Sequence, residues 1–267
     1  MADLLRRHLA PIPQSAWDEI DETAADKMRP MLSARSVVDF HGPHGLELAA
    51  VNLGRVAAGD SSKDGVHWGI REIMPLVEAR VPFKLELAEL DAFARGAADI
   101  DLGPLEEAAR RIASFEDDVV YNGLKTAGIA GVLSSLSHKP LKLGGDADGI
   151  AAAVGDGVAE LKGEGVAGPY DIVFGPALYK KANQVLKAGR VLRDVLERIG
   201  GGRVLFSPAL RGGLLLSRRG GDFQLTVGQD LSIGYARHDA SHAELFVIES
   251  FTFRVLEPAA GIELKSG

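Results

Sequence analysis

Cysteine is absent from the 267-residue sequence. Its absence excludes disulfide bridges, thiolate metal sites and cysteine nucleophiles, so packing has to hold the fold together. Long apolar runs are missing as well. The N-terminus has charges inside a short amphipathic segment, and no later window approaches the length of a membrane span. We therefore expect a cytoplasmic protein without a membrane partner.

Blocks of like charge are also missing. The sequence has 30 Lys and Arg residues against 37 Asp and Glu residues, a formal net charge of −7. No basic stretch is available to neutralise phosphates, so nucleic acid is not expected as a partner. The hydrophobic fraction of 46% predicts a globular protein with a sizeable core, in one large domain or two small ones.

Common catalytic motifs are absent: the sequence contains no G-x-S-x-G elbow, H-E-x-x-H motif, Walker loop or paired zinc-ligand spacing. Gly163, Gly165 and Gly168 match the dinucleotide spacing, but an alanine-rich helix precedes them and a strand follows. That order is the reverse of a cofactor loop and predicts a helix-to-strand turn. Glu249 interrupts an apolar strand, which favours a charge paired across a domain or subunit contact over a catalytic carboxylate. We expect no catalytic residue, metal or cofactor.

The C-terminal part of the sequence predicts β-structure. Apolar residues alternate with polar ones in two stretches, at Phe223, Leu225 and Val227 and again at Leu245, Val247, Phe251, Phe253 and Val255. A period of two is typical of strands. The polar segment 236–242 between them is short enough to connect two antiparallel strands.

Two helices and a hairpin arm are predicted before that sheet. Residues 13–32 have apolar positions at helical spacing, with Ser15 as a candidate N-cap. Residues 103–128 predict a spine helix of roughly 35 Å. Residues 51–82 predict two extended segments around a polar tip, and such an arm has to lie on another surface because a two-stranded hairpin is only marginally stable alone. A neighbouring subunit explains its length better than an intramolecular surface does.

The region 135–220 alternates helical and strand patterns. It predicts a compact α/β lobe inserted between the spine helix and the C-terminal strands. The expected class is therefore α+β, with two lobes.

Several motifs carry a resemblance to a known family. The longest is Gly220-Gly-Asp-Phe-Gln-Leu-Thr-Val-Gly-Gln-Asp-Leu-Ser-Ile-Gly-Tyr235, followed by Glu249-Ser-Phe-Thr-Phe-Arg-Val255. Upstream are Leu9-Ala-Pro11, Ala16-Trp-Asp-Glu-Ile-Asp21, Val38-Asp-Phe-His-Gly-Pro-His-Gly45, Trp68-Gly-Ile-Arg71, Glu89-Leu-Asp91, Phe115-Glu-Asp117 and Gly168-Pro-Tyr170. With these motifs the chain resembles, over essentially its whole length, the family 1 encapsulins, shell proteins also known as linocin-type bacteriocins.

The resemblance implies the Hong Kong 97-type fold of bacteriophage major capsid proteins. Its implied division is an N-terminal helix and the start of a peripheral domain at 1–50, an elongated loop at 51–82, peripheral domain with the spine helix at 83–134, an axial domain at 135–220, and peripheral C-terminal strands at 221–267. The implied function is a self-assembling icosahedral shell, a bacterial nanocompartment that encloses a peroxidase or ferritin-like enzyme through a C-terminal targeting peptide. A phage-type capsid protein, or a peptidase or bacteriocin, are the alternatives.

The resemblance also implies specific sites. It assigns cargo-peptide binding to Arg35, Asp39, Leu231, Ile233 and Tyr235. Without it, the face formed by the last three would be interpreted as core under the N-terminal helix.

At a symmetry axis, the resemblance implies a pore carrying Lys187 and Arg190. Side chains pointing sideways into solvent are an equally weighted alternative. Some members are described as holding flavin against a tryptophan ahead of Glu89-Leu-Asp91; that position is Ala88 here, so flavin is not expected.

Overall fold

The computed structural model describes residues 4–58, 65–185 and 189–266. The helices within these ranges are α1 Gln14–Met28, α2 Leu87–Ala94, α3 Gly103–Asn122, α4 Val132–Ser135, α5 Ala147–Gly163, α6 Pro176–Ala182 and α7 Leu192–Gly200. The strands are β1 Asp39–His41, β2 Ala50–Ala58, β3 Gly69–Pro75, β4 Val77–Glu86, β5 Leu141–Leu143, β6 Tyr170–Phe174, β7 Gly201–Phe206, β8 Gly213–Ser217, β9 Phe223–Val227, β10 Ser232–His238, β11 His242–Val255 and β12 Gly261–Ser266.

The first sheet is built around β11. Strands run in the order β1-β9-β11-β10, and β4 pairs with β11 as well. The predicted antiparallel pairing is confirmed, for example in the register Tyr235 to Leu245. The prediction of two strands is wrong, because the first one is divided into β9, which carries the Phe223 to Val227 alternation, and β10, and both pair with β11. The connection is shorter than the predicted 236–242, because β10 continues to His238 and β11 begins at His242. From Leu245 to Phe253 the strand is buried on both faces rather than on one.

Helices α1 and α3 cover one face of this sheet. Trp17 and Ile20 of α1 and Ile112 of α3 belong to one buried cluster with residues of β4, β10 and β11. Ser15 is not the N-cap of α1: the helix begins at Gln14 after Pro13, which can make no side-chain cap.

The spine helix α3 is shorter than predicted. Its 20 residues span about 30 Å, and the expected helical stretch to Gly128 is wrong at its C-terminal end. The helix ends at Asn122 because Gly123 adopts a φ of 85°, a left-handed conformation that favours glycine and turns the chain away.

The second sheet has the order β5-β12-β8-β6-β7, with α5 and α7 packed together beside it. Strands β5, β6, β7 and β8 of this sheet come from the predicted lobe at 135–220. The lobe is completed by β12, which lies between β5 and β8. Residues 261–266, which the implied division assigns to the peripheral C-terminal strands, thus lie in the second sheet. The predicted helix-to-strand turn after Gly163 is confirmed, since α5 ends there and β6 begins at Tyr170.

The hairpin arm consists of β2 and β3, which form a separate two-stranded antiparallel sheet. The arm ends earlier than expected. Residues 77–82, assigned to it from the sequence, lie in β4 and pair with β11 from Val77 to Glu86. These residues join β4 because pairing with the central strand β11 satisfies their backbone hydrogen-bonding groups.

Candidate functional site

Arg35 is the centre of a charged cluster between the two sheets. It lies in a short 3₁₀ turn, Ala34–Ser36, just before β1. Its guanidinium donates to both carboxylate oxygens of Glu116, with Nε at 2.8 and 2.9 Å and Nη2 at 2.5 Å. Nη2 also donates to Glu249 Oε1 at 2.6 Å, and Nη1 to Asp230 Oδ1 at 2.9 Å. One cation therefore serves three carboxyl groups.

Burial controls the protonation of this cluster. The side chains of Glu116 and Glu249 are fully buried, and that of Arg35 is 17% exposed. Burial first, and then the hydrogen bond with Glu116 and its charge, raise the pKa of Glu249 well above its usual range. The acid form of Glu249 is therefore favoured in the folded protein, and Arg35 is the cation that faces both glutamate side chains.

Glu249 was predicted to be a paired charge at a contact between domains or subunits. Its partner is Arg35 of the same chain, 214 residues away. The sequence analysis missed Glu116 as a member of the site. The available signal is that Glu116 and Asp117 fall among the buried positions of α3, where an unpaired acid would be costly.

Asp117 holds the turn that carries Arg35. Its carboxylate accepts from the backbone N–H groups of Ser33 at 3.2 Å and Ala34 at 2.9 Å, and from the hydroxyls of Ser33 at 2.5 Å and Ser207 at 3.0 Å. Burial raises the pKa of Asp117 to about 6, against the opposing effect of these hydrogen bonds. Ser207 follows β7, so this one carboxyl group connects α3, the N-terminal segment and the second sheet.

Asp39 does not join the Arg35 cluster through a hydrogen bond. Its Oδ2 accepts from the backbone N–H of Gly221 at 2.7 Å, next to β9. Leu231 is tied to the cluster more directly. Asp230 Oδ1 accepts from the Leu231 N–H at 2.8 Å as well as from Arg35. The structure therefore brings Arg35 and Leu231 together through Asp230, while Asp39 is held separately.

The apolar residues predicted for docking differ in exposure. Ile233 is 3% exposed and Tyr235 is 7% exposed, and both belong to the cluster beneath α1 that includes Trp17. The Tyr235 N–H donates to the Leu5 carbonyl at 2.7 Å, so the N-terminal segment covers this position of β10. Leu231 is half-buried at the margin of the cluster.

Phe40 is an exposed apolar neighbour that the sequence analysis did not single out as a site residue. Its ring is 36% exposed, and the Arg35 guanidinium carbon lies 5.0 Å from the ring centroid. Phe40 and Leu231 therefore provide apolar surface on either side of a charged group whose own hydrogen bonds are already made. A strand position next to Asp39 with a bulky ring was the signal available in the sequence.

A second candidate surface is on the arm. Five large apolar side chains are more than half exposed there, namely Val56 at 62%, Val66 at 63%, Trp68 at 51%, Ile70 at 64% and Ile73 at 59%. Neither β2 nor β3 pairs with any other strand of the described chain. Exposed apolar side chains concentrated on one hairpin indicate an interaction surface.

The loop between α6 and α7 carries the predicted pore residues. Lys187 lies outside the described residues. Arg190 is exposed, close to the antiparallel bridge between Val185 and Val191.

Two searches of the described residues were negative. Residues 4–58, 65–185 and 189–266 contain no group of three or more His, Asp or Glu side chains placed to hold a metal ion. None of the helices in the same ranges combines the length and hydropathy needed to cross a membrane.

Sequence comparison matches residues 2–252 to the model of a family described as encapsulating protein for peroxidase. Curated relatives named type 1 encapsulin shell protein match nearly the whole chain. The protein from Rhodospirillum rubrum is 42% identical, with 99% of this chain and 97% of that protein covered. The one from Rhodococcus erythropolis is 39% identical, with 97% and 98% covered.

Solved structures share the fold at lower identity. A virus-like particle from Pyrococcus furiosus has a TM-score of 0.69 and 17% identity, covering 94% of this chain and 99% of that chain. The capsid of Myoviridae phage XM1 has a TM-score of 0.58 and 15% identity, covering 88% and 92%. At these identities the likeness concerns the fold alone.

Proposed function

The chain belongs to the encapsulin shell proteins, and from that premise we propose that its copies close through the arm into a hollow particle enclosing a cargo enzyme. Its fold is the Hong Kong 97-type capsid fold that the solved structures share. The observation that carries the assembly step is the arm: five exposed apolar side chains lie on β2, on β3 or just before β3, and neither strand has another strand partner within the described residues. Such a surface is stable in water when another copy covers it.

A phage-type capsid protein is the competing function, because it has the same fold. Sequence identity distinguishes the two functions. Five of the encapsulin relatives are 36 to 42% identical over nearly their full length, whereas the phage capsid chains with this fold are 13 to 16% identical. A similar fold at the lower sequence identity does not indicate a shared function.

The assembly proposal is tested by placing a charge on the arm. Trp68→Asp together with Ile70→Asp puts two carboxylates on the apolar surface and should prevent closure, because desolvating them in an interface is costly. Arg55→Asp is the matched control, since it places the same acid at an exposed polar position of the same hairpin.

Sedimentation and electron microscopy give the readout. The control should form particles, and the double variant should sediment as small species built from the 28.3 kDa chain. Closed particles from the double variant would refute a role of this surface in assembly.

For cargo we propose docking of a C-terminal targeting peptide, carried by a peroxidase or ferritin-like enzyme, at Arg35, Asp39, Leu231, Ile233 and Tyr235. The exposed flank of Leu231 and the neighbouring Phe40 ring support this site, because they offer apolar contact beside polar groups. Burying a leucine-sized side chain contributes about 1.5 to 3 kcal/mol, so each site is weak. Many sites facing one lumen would retain a multimeric cargo by effective concentration.

The residues of this site call for different substitutions. Ile233 and Tyr235 are core, and Arg35 is hydrogen-bonded to two buried glutamates, so altering them would disturb folding and docking together. Leu231→Asp and Asp39→Asn should leave particles intact and reduce retention of a co-expressed tailed enzyme. Ala236→Asp, at an exposed position of the neighbouring strand β10, is the control. Particles of Leu231→Asp that retain the cargo at the control level would exclude Leu231 from docking.

At a symmetry axis of the shell we propose that Lys187 and Arg190 line a pore. Repetition of these cations around an opening would raise the local concentration of small anions. Lys187→Glu with Arg190→Glu should slow the entry of anionic probes relative to cationic ones. Unchanged entry rates would show that the side chains point away from the opening.

A further inference from the structure

His138 lies where the last crossing between the two sheets meets helix α5. The segment 136–140 leads from α4 to β5, and the 3₁₀ turn Pro258–Ala260 leads from β11 to β12. The two segments touch through a backbone hydrogen bond, from Ser137 N–H to the Pro258 carbonyl at 3.1 Å. The His138 side chain is 4% exposed.

Both ring nitrogens of His138 face hydrogen-bond acceptors. Nδ1 is 2.7 Å from Glu160 Oε1, near the end of α5, and Nε2 is 3.0 Å from the Ala259 carbonyl oxygen. Glu164 Oε2 is 3.5 Å from Nε2. Neither a carbonyl nor a carboxylate can donate, so both hydrogen bonds form only when both ring nitrogens carry a proton. A neutral imidazole has one N–H and can make one of the two.

We propose that His138 is a proton-dependent clasp that fastens the C-terminal crossing to α5. In the protonated state it donates to Glu160 and to Ala259 at once. In the neutral state one nitrogen lone pair faces an acceptor, and one of the two connections is lost. Protonation of the ring therefore tightens the clasp, because only the protonated imidazole has two N–H donors.

Several charged side chains surround the ring. Helix α5 and the residue after it present the carboxyl groups of Glu160 and Glu164 to His138. On the side of the turn, Glu257 accepts from the Ala259 N–H at 3.1 Å and so fixes the peptide that presents the acceptor carbonyl. On the segment of His138 itself, the neighbouring Lys139 is exposed.

The clasp acts on β12. That strand begins directly after Ala260 and lies between β5 and β8, so it is an interior strand of the second sheet. Loosening the turn therefore lowers the protection of backbone N–H groups at 261–264. The change therefore affects the lobe that contains the second sheet, and the first sheet around β11 stays unchanged.

Hydrogen–deuterium exchange of assembled particles tests the proposal across about pH 5.5 to about pH 8, corrected for intrinsic exchange. Wild-type particles should lose about tenfold protection at 257–264 as the pH rises, the effect of one charged hydrogen bond. His138→Gln should be weakly protected at every pH. His242→Gln, at a 39% exposed histidine, should behave like the wild type.

Glu160→Gln separates protonation from folding. An amide can donate to Nδ1 of the neutral ring while Nε2–H donates to Ala259, so this variant should remain protected at high pH. The substituted side chain is 40% exposed, which keeps the core intact. Protection that falls with pH in His138→Gln as it does in the wild type, or no pH dependence in the wild type, would overturn the proposal.

Discussion

Replacing Arg35 by methionine should destabilise the protein far more than an ordinary arginine substitution. The change removes the cation from Glu116 and Glu249, both of them fully buried, and leaves their carboxyl groups next to each other. Breaking a buried pair by removing one partner costs about 3 to 5 kcal/mol. Arg110→Met is the matched control, because that side chain is 43% exposed and pairs with Glu106 and Glu107 on the surface. Such exposed pairs contribute about 0 to 1 kcal/mol.

Two further measurements identify the cause of the stability loss in Arg35→Met. Burial already raises the pKa of Glu249 well above its usual range, so the acid form is favoured in the folded state. Stability from such a group is present at low pH and is lost as the pH rises through the folded pKa, so Arg35→Met should be least damaging in acid. Adding Glu116→Gln and Glu249→Gln to Arg35→Met should recover much of the loss, because neutral groups of similar shape need no cation.

Tryptophan fluorescence in denaturant provides the assay. Trp17 is 4% exposed beneath the sheet and will report unfolding of the chain, whereas Trp68 lies on the arm and will report on the contact between copies proposed there. Variants are compared at equal chain concentration, since assembly adds to apparent stability. A midpoint for Arg35→Met no lower than that of Arg110→Met would refute the argument that the buried glutamates depend on Arg35.

Further predictions concern the interior. Burial raises the pKa of Asp117 from 3.8 to about 6. The stabilising contribution of Asp117 is therefore present below the pKa of 3.8 and is lost as the pH rises through the folded-state pKa of about 6. Asp117→Asn should flatten the pH dependence of the denaturation midpoint in that interval. Gly234→Ala should destabilise by about 1 to 3 kcal/mol, since an added Cβ would overlap the Phe246 ring. Gly155→Ala in α5 has nothing within 4 Å and should be neutral or stabilising by up to about 1 kcal/mol, measured in the same unfolding experiment.

Local patterns in the sequence are sufficient to predict the C-terminal hairpin. Alternation at Leu245 and Val247 gives a period of two, and the polar residues near Asp239 leave room for a single connection. The same reasoning finds α5, whose end at Gly163 and following strand exclude a cofactor loop. In each case the information lies within a few residues of the feature.

Long-range partners could not be predicted in this way. Nothing near Arg35 indicates that Glu116, 81 residues later, is its main partner. The end of the arm at Pro75 depends on β4 finding β11, and the place of β12 depends on β5 and β8. Periodicity describes one strand at a time, whereas these features depend on which strands meet.

The proposed docking residues depend both on a local sequence pattern and on long-range contacts. The resemblance implies docking at Leu231, Ile233 and Tyr235, but the exposure of each side chain depends on α1 and on the N-terminal segment. Leu231 is half-buried, and Ile233 is 3% exposed. Docking at these residues remains a prediction until the cargo experiments are done.

The position of β12 has a consequence for the order of events during synthesis. Within the described chain β5 pairs only with β12, although more than a hundred residues separate them. A ribosome makes β12 after every other described strand, so the second sheet is incomplete while the chain is still being translated. Its edge at β8 becomes covered only after residues 261–266 have emerged. A nascent chain therefore has an unfinished second sheet until the residues of β12 have left the ribosome.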